Sequence, residues 1–131
     1  MEFLSVLAAA GAAWVFGAVW YSIFAKPWVS GSRVPVDDDG APINRADPKP
    51  YLLSILAMLF VAGTMRYAFS IMEITTAMKG LTSGMGIGMF FIAPWIMLNN
   101  GYAARPFSLT LIDGGYAAFG CAIIGLVIAV L

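Results

Sequence analysis

The sequence contains no histidine and a single cysteine, Cys121. Without histidine, the chain lacks the commonest general base, the usual zinc ligand and the commonest haem ligand. With one cysteine, it can form no internal disulfide. We therefore predict no enzyme activity, no metal site and no ligated cofactor. Contact alone is enough to hold a lipid, quinone or pigment, so this composition is compatible with a bound lipid.

Charge is also scarce. Only 11% of the residues are charged and 61% are hydrophobic, whereas about a quarter of an ordinary globular domain is charged. Of the seven basic and seven acidic residues, eight fall within positions 26–49. The net charge is zero, and no basic patch supports binding to nucleic acid. The rest of the chain is therefore expected to be surrounded by lipid.

Four long apolar segments fill most of the sequence. Each supplies the roughly 20 residues that a membrane-spanning helix needs, and none shows the alternation typical of a transmembrane β-strand. The sequence predicts an all-α polytopic membrane protein, a single domain of four transmembrane helices in a bundle. These helices are predicted at about 3–24, 51–72, 80–104 and 107–131. The first follows an acidic residue and is long, so we predict that it is retained and not cleaved as a signal peptide.

The segment 25–50 is the one long loop. It contains five prolines, which are expected to keep it extended or rich in turns. The acidic run Asp37-Asp38-Asp39 lacks the alternating ligands and the distant glutamate of an EF-hand loop. We interpret this run as a solvated turn and not as a calcium site.

Basic residues indicate the orientation of the bundle. On the side of the membrane opposite the loop 25–50, the basic residues are Lys79 and, if its side chain extends toward that side, Arg66. The first and third connections between the helices hold most of the basic residues, so we predict that they lie on the cytoplasmic side of a bacterial inner membrane. Both termini are then predicted to lie in the periplasm. The basic residues of these two connections are Lys26, Arg33, Arg45, Lys49 and Arg105.

Aromatic residues cluster at the predicted cytoplasmic surface, close to a lysine. Such residues are typical of the membrane interface, where an aromatic ring or a long basic side chain reaches the headgroups. We interpret them as interface anchors, namely Trp20, Tyr21, Lys26 and Trp28.

Small residues recur at four-residue spacing on the third and fourth predicted helices. Such stripes let two backbones approach closely in a membrane, so they predict a helix–helix contact, either within the bundle or between copies. Pro94 is expected to kink the third helix. The two stripes are Gly80, Gly84 and Gly88, and Ala117, Cys121 and Gly125.

Arg66 is a charged residue within the second predicted helix. A charge at the centre of the bilayer costs about 2.5–3.5 kcal/mol on insertion scales. One interpretation is an arginine that extends toward the outer surface and pairs with Glu73 on the same face. The alternative is a polar track, or a contact with a partner or an anionic lipid. Direct pairing with Asp113 is not expected, because the two lie in opposite halves of the bilayer.

Asp113 is the charged residue of the fourth predicted helix. Thr110 and Tyr116 lie one turn to either side of it, and Asn99 and Asn100 lie at a similar depth on the third helix. One interpretation is a cluster that binds a cation or relays a proton, since intramembrane carboxylates are often functional. The alternative is a structural hydrogen-bond network between the third and fourth helices.

Two motifs resemble those of a bacterial family. Residues 17–28 read GAVWYSIFAKPW, and residues 111–116 read LIDGGY. They are similar to the family catalogued as domain of unknown function 1761, although Ala25 stands where its pattern has glycine. The resemblance implies a short four-helix membrane protein and no particular activity. The matching positions are Trp20, Tyr21, Lys26, Trp28, Asp113, Gly115 and Tyr116.

The leading hypothesis from the sequence is a non-enzymatic accessory or structural protein. It would assemble with itself or with a larger membrane complex through the small-residue helix faces. The runner-up is a small oligomeric transporter or channel for an ion or small metabolite, with a path lined by Asp113, Asn99 and Arg66. A membrane enzyme acting on lipid or quinone is the third and weakest hypothesis. The expected partners are the lipid bilayer and another protein chain.

Overall fold

The computed structural model describes residues 2–131 and contains four helices long and apolar enough to cross a membrane. A π-helical segment, Gly88–Ile92, joins two of its helices into a continuous third span, Ala77–Tyr102. The predicted all-α membrane protein with four spans is confirmed. The α-helices are α1 (Glu2–Ile23), α2 (Ala25–Ser32), α3 (Lys49–Met72), α4 (Ala77–Ile87), α5 (Ala93–Tyr102) and α6 (Phe107–Val130).

Local capping determines where the second span ends and the third begins. α3 ends at Glu73, which has a left-handed backbone (φ 56°) and donates its backbone N–H to the carbonyl of Phe69. The third span begins at Ala77, earlier than the predicted start near residue 80, because the Thr76 side chain accepts the backbone N–H of Lys79 at 3.3 Å. A short turn therefore connects these two spans.

The prediction that 25–50 is extended or rich in turns is wrong for its first part, which forms α2. Pro27 lies in the first turn of this helix, where a backbone N–H has no acceptor within the helix, so proline is tolerated there. The helix ends at Arg33, whose backbone is left-handed (φ 60°). A Cβ added to Gly31 would lie 3.5 Å from the Cβ of Leu109. α2 therefore packs against the beginning of α6.

The acidic run in the remaining loop forms a hydrogen-bonded turn. The Asp37 carboxylate accepts the backbone N–H groups of Asp39 and Ala41 at 2.9 and 3.1 Å, and Arg45 donates to it at 2.8 Å. These donors, with the backbone N–H of Ala41 first, lower the pKa of the Asp37 carboxyl group below its ordinary value. The turn is therefore held by its own backbone and by one arginine.

α6 is the helix on which the other helices pack. It contacts α1, α3, α4 and α5 along its length, as well as α2. Half of its most apolar stretch is buried inside the protein, compared with 28% or less in each of the other spans. Its many glycine and alanine residues make this possible, since small side chains let several helices approach one backbone. The other spans direct most of their apolar surface outward, where a bilayer would contact it.

The small-residue faces of the third span and α6 pack against each other within the chain. A Cβ added to any of the three third-span glycines would overlap a backbone atom of α6. Both faces are therefore occupied inside the bundle, and neither is available to a second copy or to a partner. The facing pairs are Gly80 with Gly125, Gly84 with Cys121, and Gly88 with Ala117.

The π-helical segment accommodates Pro94. Proline has no backbone N–H, and in an α-helix its ring clashes with the carbonyl of the residue four positions earlier. Here the wider π turn directly precedes it, and Ala93 donates its backbone N–H to Gly88, five residues back. The proline is therefore associated with an inserted residue in the third span.

That inserted residue changes which asparagine faces α6. Before the π segment, the small residues that face α6 are spaced by four and end at Gly88. After it, the same face continues at Ala93, whose Cβ would lie 3.2 Å from a Cβ on Gly114, and it reaches Asn100. In an uninterrupted α-helix the residue in that direction would be Asn99. Asn100 is accordingly buried and Asn99 is exposed.

The close contact between the third span and α6 predicts a sharp difference between two neighbouring glycines. Gly84→Ala is expected to destabilise the bundle by about 1–3 kcal/mol, because the new Cβ overlaps the backbone carbonyl of Cys121. Gly86→Ala is the control, since a Cβ there has no neighbour within 4 Å and alanine favours the helix. Thermal unfolding of the purified variants in detergent, followed by circular dichroism, measures both. Equal midpoints for the two variants would contradict the described packing.

Candidate functional site

Asp113 is a half-buried carboxylate six residues, or about 9 Å, beyond the start of α6. It accepts two hydrogen bonds on the same oxygen, Oδ1. The hydroxyl of Tyr21 donates at 2.6 Å and the indole N–H of Trp28 donates at 3.1 Å. No hydrogen bond from any residue within 2–131 reaches Oδ2. The second oxygen is therefore available to a ligand.

A break in the backbone brings the two donors together. Tyr21 lies in the last turn of α1 and Trp28 lies in α2, on either side of Phe24, whose backbone leaves helical geometry (φ −102°, ψ 22°). In one continuous helix these two residues would lie about 10 Å apart along the axis. The break lets α2 turn toward α6, so that both side chains reach one carboxylate oxygen.

Two further side chains fix α1 against α6 beside this carboxylate. The indole N–H of Trp20 donates to the carbonyl of Ile112 at 2.9 Å, and its ring covers Gly115, where a Cβ would lie 2.8 Å from the ring. The hydroxyl of Tyr116 donates to the carbonyl of Ala13 at 2.9 Å. The two motifs that carry the family resemblance therefore form one cluster in the folded chain.

Three of the four predicted interface anchors belong to this cluster. Trp20, Tyr21 and Trp28 are half-buried and donate hydrogen bonds to α6, so they hold helices together as well as lying near the predicted interface. Lys26 is exposed, in a position where an anchor can reach headgroups. The sequence offered one signal for the contact, namely that both motifs occur in the same family pattern, but it did not show that they meet.

The predicted cluster of polar residues between the third and fourth spans forms only in part. The side-chain amide of Asn100 donates to the Thr110 hydroxyl at 3.1 Å in a buried pair, while Asn99 is exposed. Neither asparagine hydrogen-bonds to Asp113, because its donors come from α1 and α2. Tyr116 does pack with the aromatic side chains around Asp113. The asparagine pair is thus separate from the carboxylate.

Arg66 contacts α1 and the end of α6. Its Nη1 lies 3.4 Å from the carbonyl oxygen of Ile128, and its Nη2 lies 3.9 Å from a carboxylate oxygen of Glu2. The expected ion pair with Glu73 is not formed, because the left-handed cap takes that residue off the helical face, although both residues line a cavity of about 540 Å³. Ile128 lies about 22 Å along α6 from Asp113. The two charges are therefore near opposite ends of the bundle, as expected.

A cleft of about 300 Å³ opens between α3 and the third span, with α6 as its floor. Asp113 lies at one end of the lined stretch of α6, with Tyr21 hydrogen-bonded to it and Tyr116 one turn further along, and the rest of the lining is almost entirely apolar. The cleft extends along α6 as far as Ile124, which is about 16 Å from Asp113 at the rise of an α-helix. It is therefore elongated, with its polar groups at one end.

A second cavity, of about 320 Å³, adjoins the cleft between the same two spans. The two share Val61 of α3 and Ile92 of the π segment. They arise because α3 and the third span each pack on α6 and make few contacts with each other. The sequence did not predict these lining residues, since apolar side chains of this kind occur on every face of a membrane span.

Four spans, an intramembrane carboxylate held by aromatic donors and a lateral cleft define a multi-pass membrane protein with a candidate binding site. Residues 4–129 match the family described as "Protein of unknown function (DUF1761)". The chain belongs to this family, so the resemblance drawn from the two motifs is confirmed. Neither the curated proteins nor the solved structures contain a match to this chain.

The shift of register at the π segment predicts different effects at two adjacent asparagines. Asn100→Ala is expected to lower stability by about 1 kcal/mol, because it leaves the buried Thr110 hydroxyl without its donor. Asn99→Ala should change stability little, since that side chain is exposed. Unfolding of both variants in detergent micelles tests this difference. A larger loss for Asn99→Ala would show that the assigned register is wrong.

Proposed function

We propose that this chain is a non-enzymatic membrane protein that binds an amphipathic, lipid-like molecule in the cleft, with the polar head of that molecule at Asp113. The observation that carries the proposal is Asp113, which lies at one end of an otherwise apolar cleft and whose Oδ2 accepts no hydrogen bond from residues 2–131. Ligand sites commonly combine an apolar lining with a few polar groups that fix the orientation of the ligand.

The shape of the cleft favours a molecule with a hydrocarbon chain. It is elongated along α6, and its opening between α3 and the third span faces sideways, where a bilayer would surround the protein. A hydrocarbon chain can enter by that route without crossing water. The volume of about 300 Å³ lies at the lower end of the range for ligand sites, and the adjoining cavity extends the space between the same two spans.

The chemistry of the cleft supports binding more than catalysis. Tyr21 and Tyr116 donate their hydroxyl protons to Asp113 and to the carbonyl of Ala13. These hydrogen bonds give both tyrosines a positioning role between helices, and within residues 2–131 the neighbouring base is a carboxylate, Asp113, beside Tyr21 alone. The absence of histidine from the sequence removes the side chain that most often supplies such a base.

An accessory role in a larger membrane complex stays a prediction, as does self-assembly. Both require a surface other than the small-residue faces, because those faces are occupied inside the bundle. The cleft supports a narrower form of the accessory hypothesis, in which the chain holds a lipid-like molecule beside its partner. The bacterial inner membrane, with both termini in the periplasm, also stays a prediction from the basic residues of the loops.

Transport is the second candidate function, and the position of Asp113 favours it. Of the three residues predicted to line a path, Asp113 alone lines the cleft. Arg66 lies beside other cavities toward the opposite end of the bundle, and Asn99 is exposed. A single path lined by all three is therefore not supported. Transport through this chain would instead move an amphipathic molecule that enters the cleft from the bilayer.

The test of binding is to fill the cleft. Val61→Trp places a large side chain at one of the two residues shared by the cleft and the adjoining cavity. Leu56→Trp is the control, since Leu56 is an exposed residue of the same helix outside both cavities. Native mass spectrometry of the protein extracted in mild detergent should show about one retained lipid-sized molecule per chain for the wild type and the control, and its loss in Val61→Trp.

Two results of that experiment would overturn the proposal. One is a wild-type protein that retains no such molecule under conditions that preserve its fold. The other is equal retention by Val61→Trp and Leu56→Trp, which would place the retained lipid on the outer surface of the bundle. The same spectra would reveal any foreign subunit present in fixed ratio, which tests the accessory hypothesis separately.

A further inference from the structure

Asp113 has no cationic partner within the described chain. The ion pairs formed within residues 2–131 are Arg45 with Asp37 and Arg66 with Glu2, and neither involves this carboxylate. No lysine or arginine lines the cleft. A carboxylate at membrane depth is costly unless a partner compensates its charge. Two neutral donors on Oδ1 satisfy one oxygen, and the other still lacks a positive partner.

The carboxylate and the two tyrosine hydroxyl groups of the residues lining the cleft can accept hydrogen bonds from a ligand, but none of them has a free proton to donate to it. A carboxylate oxygen such as Oδ2 of Asp113 accepts hydrogen bonds and donates none. The hydroxyl protons of Tyr21 and Tyr116 are already donated within the protein. A phosphate or carboxylate head would therefore meet acceptors and a like charge. A head that carries its own donors and a positive charge is complementary to this end of the cleft.

The aromatic rings beside the carboxylate favour the same kind of head. The ring centroids of Tyr21 and Tyr116 lie 5.4 Å apart and those of Tyr21 and Trp28 lie 6.1 Å apart, both in edge-to-face arrangements. Aromatic rings attract cations through their π faces, which is how ammonium groups are commonly recognised, and of these three rings those of Tyr21 and Tyr116 line the cleft. The charge, the direction of the hydrogen bonds and the aromatic surroundings thus agree on one class of ligand.

We propose that the molecule bound in the cleft is a lipophilic amine. Its ammonium group donates a hydrogen bond to Asp113 Oδ2 beside Tyr21 and Tyr116, and its hydrocarbon chain lies along α6 toward Ile124. This inference rests on the proposed function, because it assumes that the cleft binds an amphipathic molecule, and it adds the chemical class of that molecule. No bond is made or broken in this binding.

The test compares two probes that differ only in the head group, dodecylamine and dodecanol. Their affinities for the wild-type protein in a neutral detergent are measured by native mass spectrometry titration at neutral pH. The amine forms an ion pair with the carboxylate that the alcohol cannot form, so it should bind about 10- to 100-fold more tightly than the alcohol, which corresponds to about 1.4–2.8 kcal/mol. In Asp113→Asn, which keeps an acceptor for Tyr21 and Trp28, this preference should fall to within about twofold.

A matched control separates the site from general attraction of a cation to the protein. Glu73→Gln removes an exposed negative charge from another cavity and should leave the preference for the amine unchanged. If Asp113→Asn does not fold, Val61→Trp and Leu56→Trp decide the question. Loss of the preference in Val61→Trp and its retention in Leu56→Trp would place the amine in the cleft. Retention of the preference in Val61→Trp, or its loss in Leu56→Trp, would overturn the proposal.

The outcomes also separate this inference from the proposed function. Equal affinity of the wild type for both probes, abolished by Val61→Trp, would overturn the amine and leave the binding of an amphipathic molecule intact. A preference for the amine that persists in a folded Asp113→Asn would remove Asp113 from the site. Failure of both probes to bind the folded wild type would overturn the proposed function itself.

Discussion

The close approach of the third span to α6 is the constraint on which the rest of the structure depends. A bilayer gives two apolar helices little hydrophobic reason to associate, so they associate where their surfaces fit. Here the fit requires glycine, because a Cβ at Gly80, Gly84 or Gly88 would overlap the backbone of α6. With one side of α6 covered in this way, α1 and α3 pack on its remaining surface. The gap between α3 and the third span then becomes the cleft.

The carboxylate cluster depends on that arrangement and on the break between α1 and α2. Asp113 faces α1 because other residues of α6 face the third span. Tyr21 and Trp28 reach the same oxygen because the chain changes direction at Phe24. Each of these side chains would be costly alone at membrane depth. Together they form hydrogen bonds on Oδ1 and leave Oδ2 without a donor from residues 2–131, on a residue that lines the cleft.

The sequence predicted the spans and the small-residue stripes, because both follow from local composition and from the spacing of residues along one helix. It did not predict the partner of each stripe, which depends on how helices distant in the sequence pack. The sequence did not predict α2, because Pro27 is compatible with a helix only in its first turn, and proline alone does not show where a helix begins. The burial of Asn100 instead of Asn99 depends on one inserted residue at the π segment, and the sequence periodicity contained no sign of it. Apart from Asp113 and the two tyrosines, which the sequence did single out, the residues lining the cleft are mostly ordinary apolar residues, and only packing distinguishes them.

The depth of Asp113 has an electrical consequence. The carboxylate lies about 9 Å beyond the start of α6, which is roughly a third of the thickness of a hydrocarbon core of about 30 Å. A unit charge that crosses the whole membrane changes in energy by about 2.3 kcal/mol per 100 mV. With the first turn of α6 at the membrane surface, a positive charge held at Asp113, as the proposed amine would place it, lies about a third of the way across that potential. Binding of the amine would then be coupled to membrane voltage by about 0.7 kcal/mol per 100 mV.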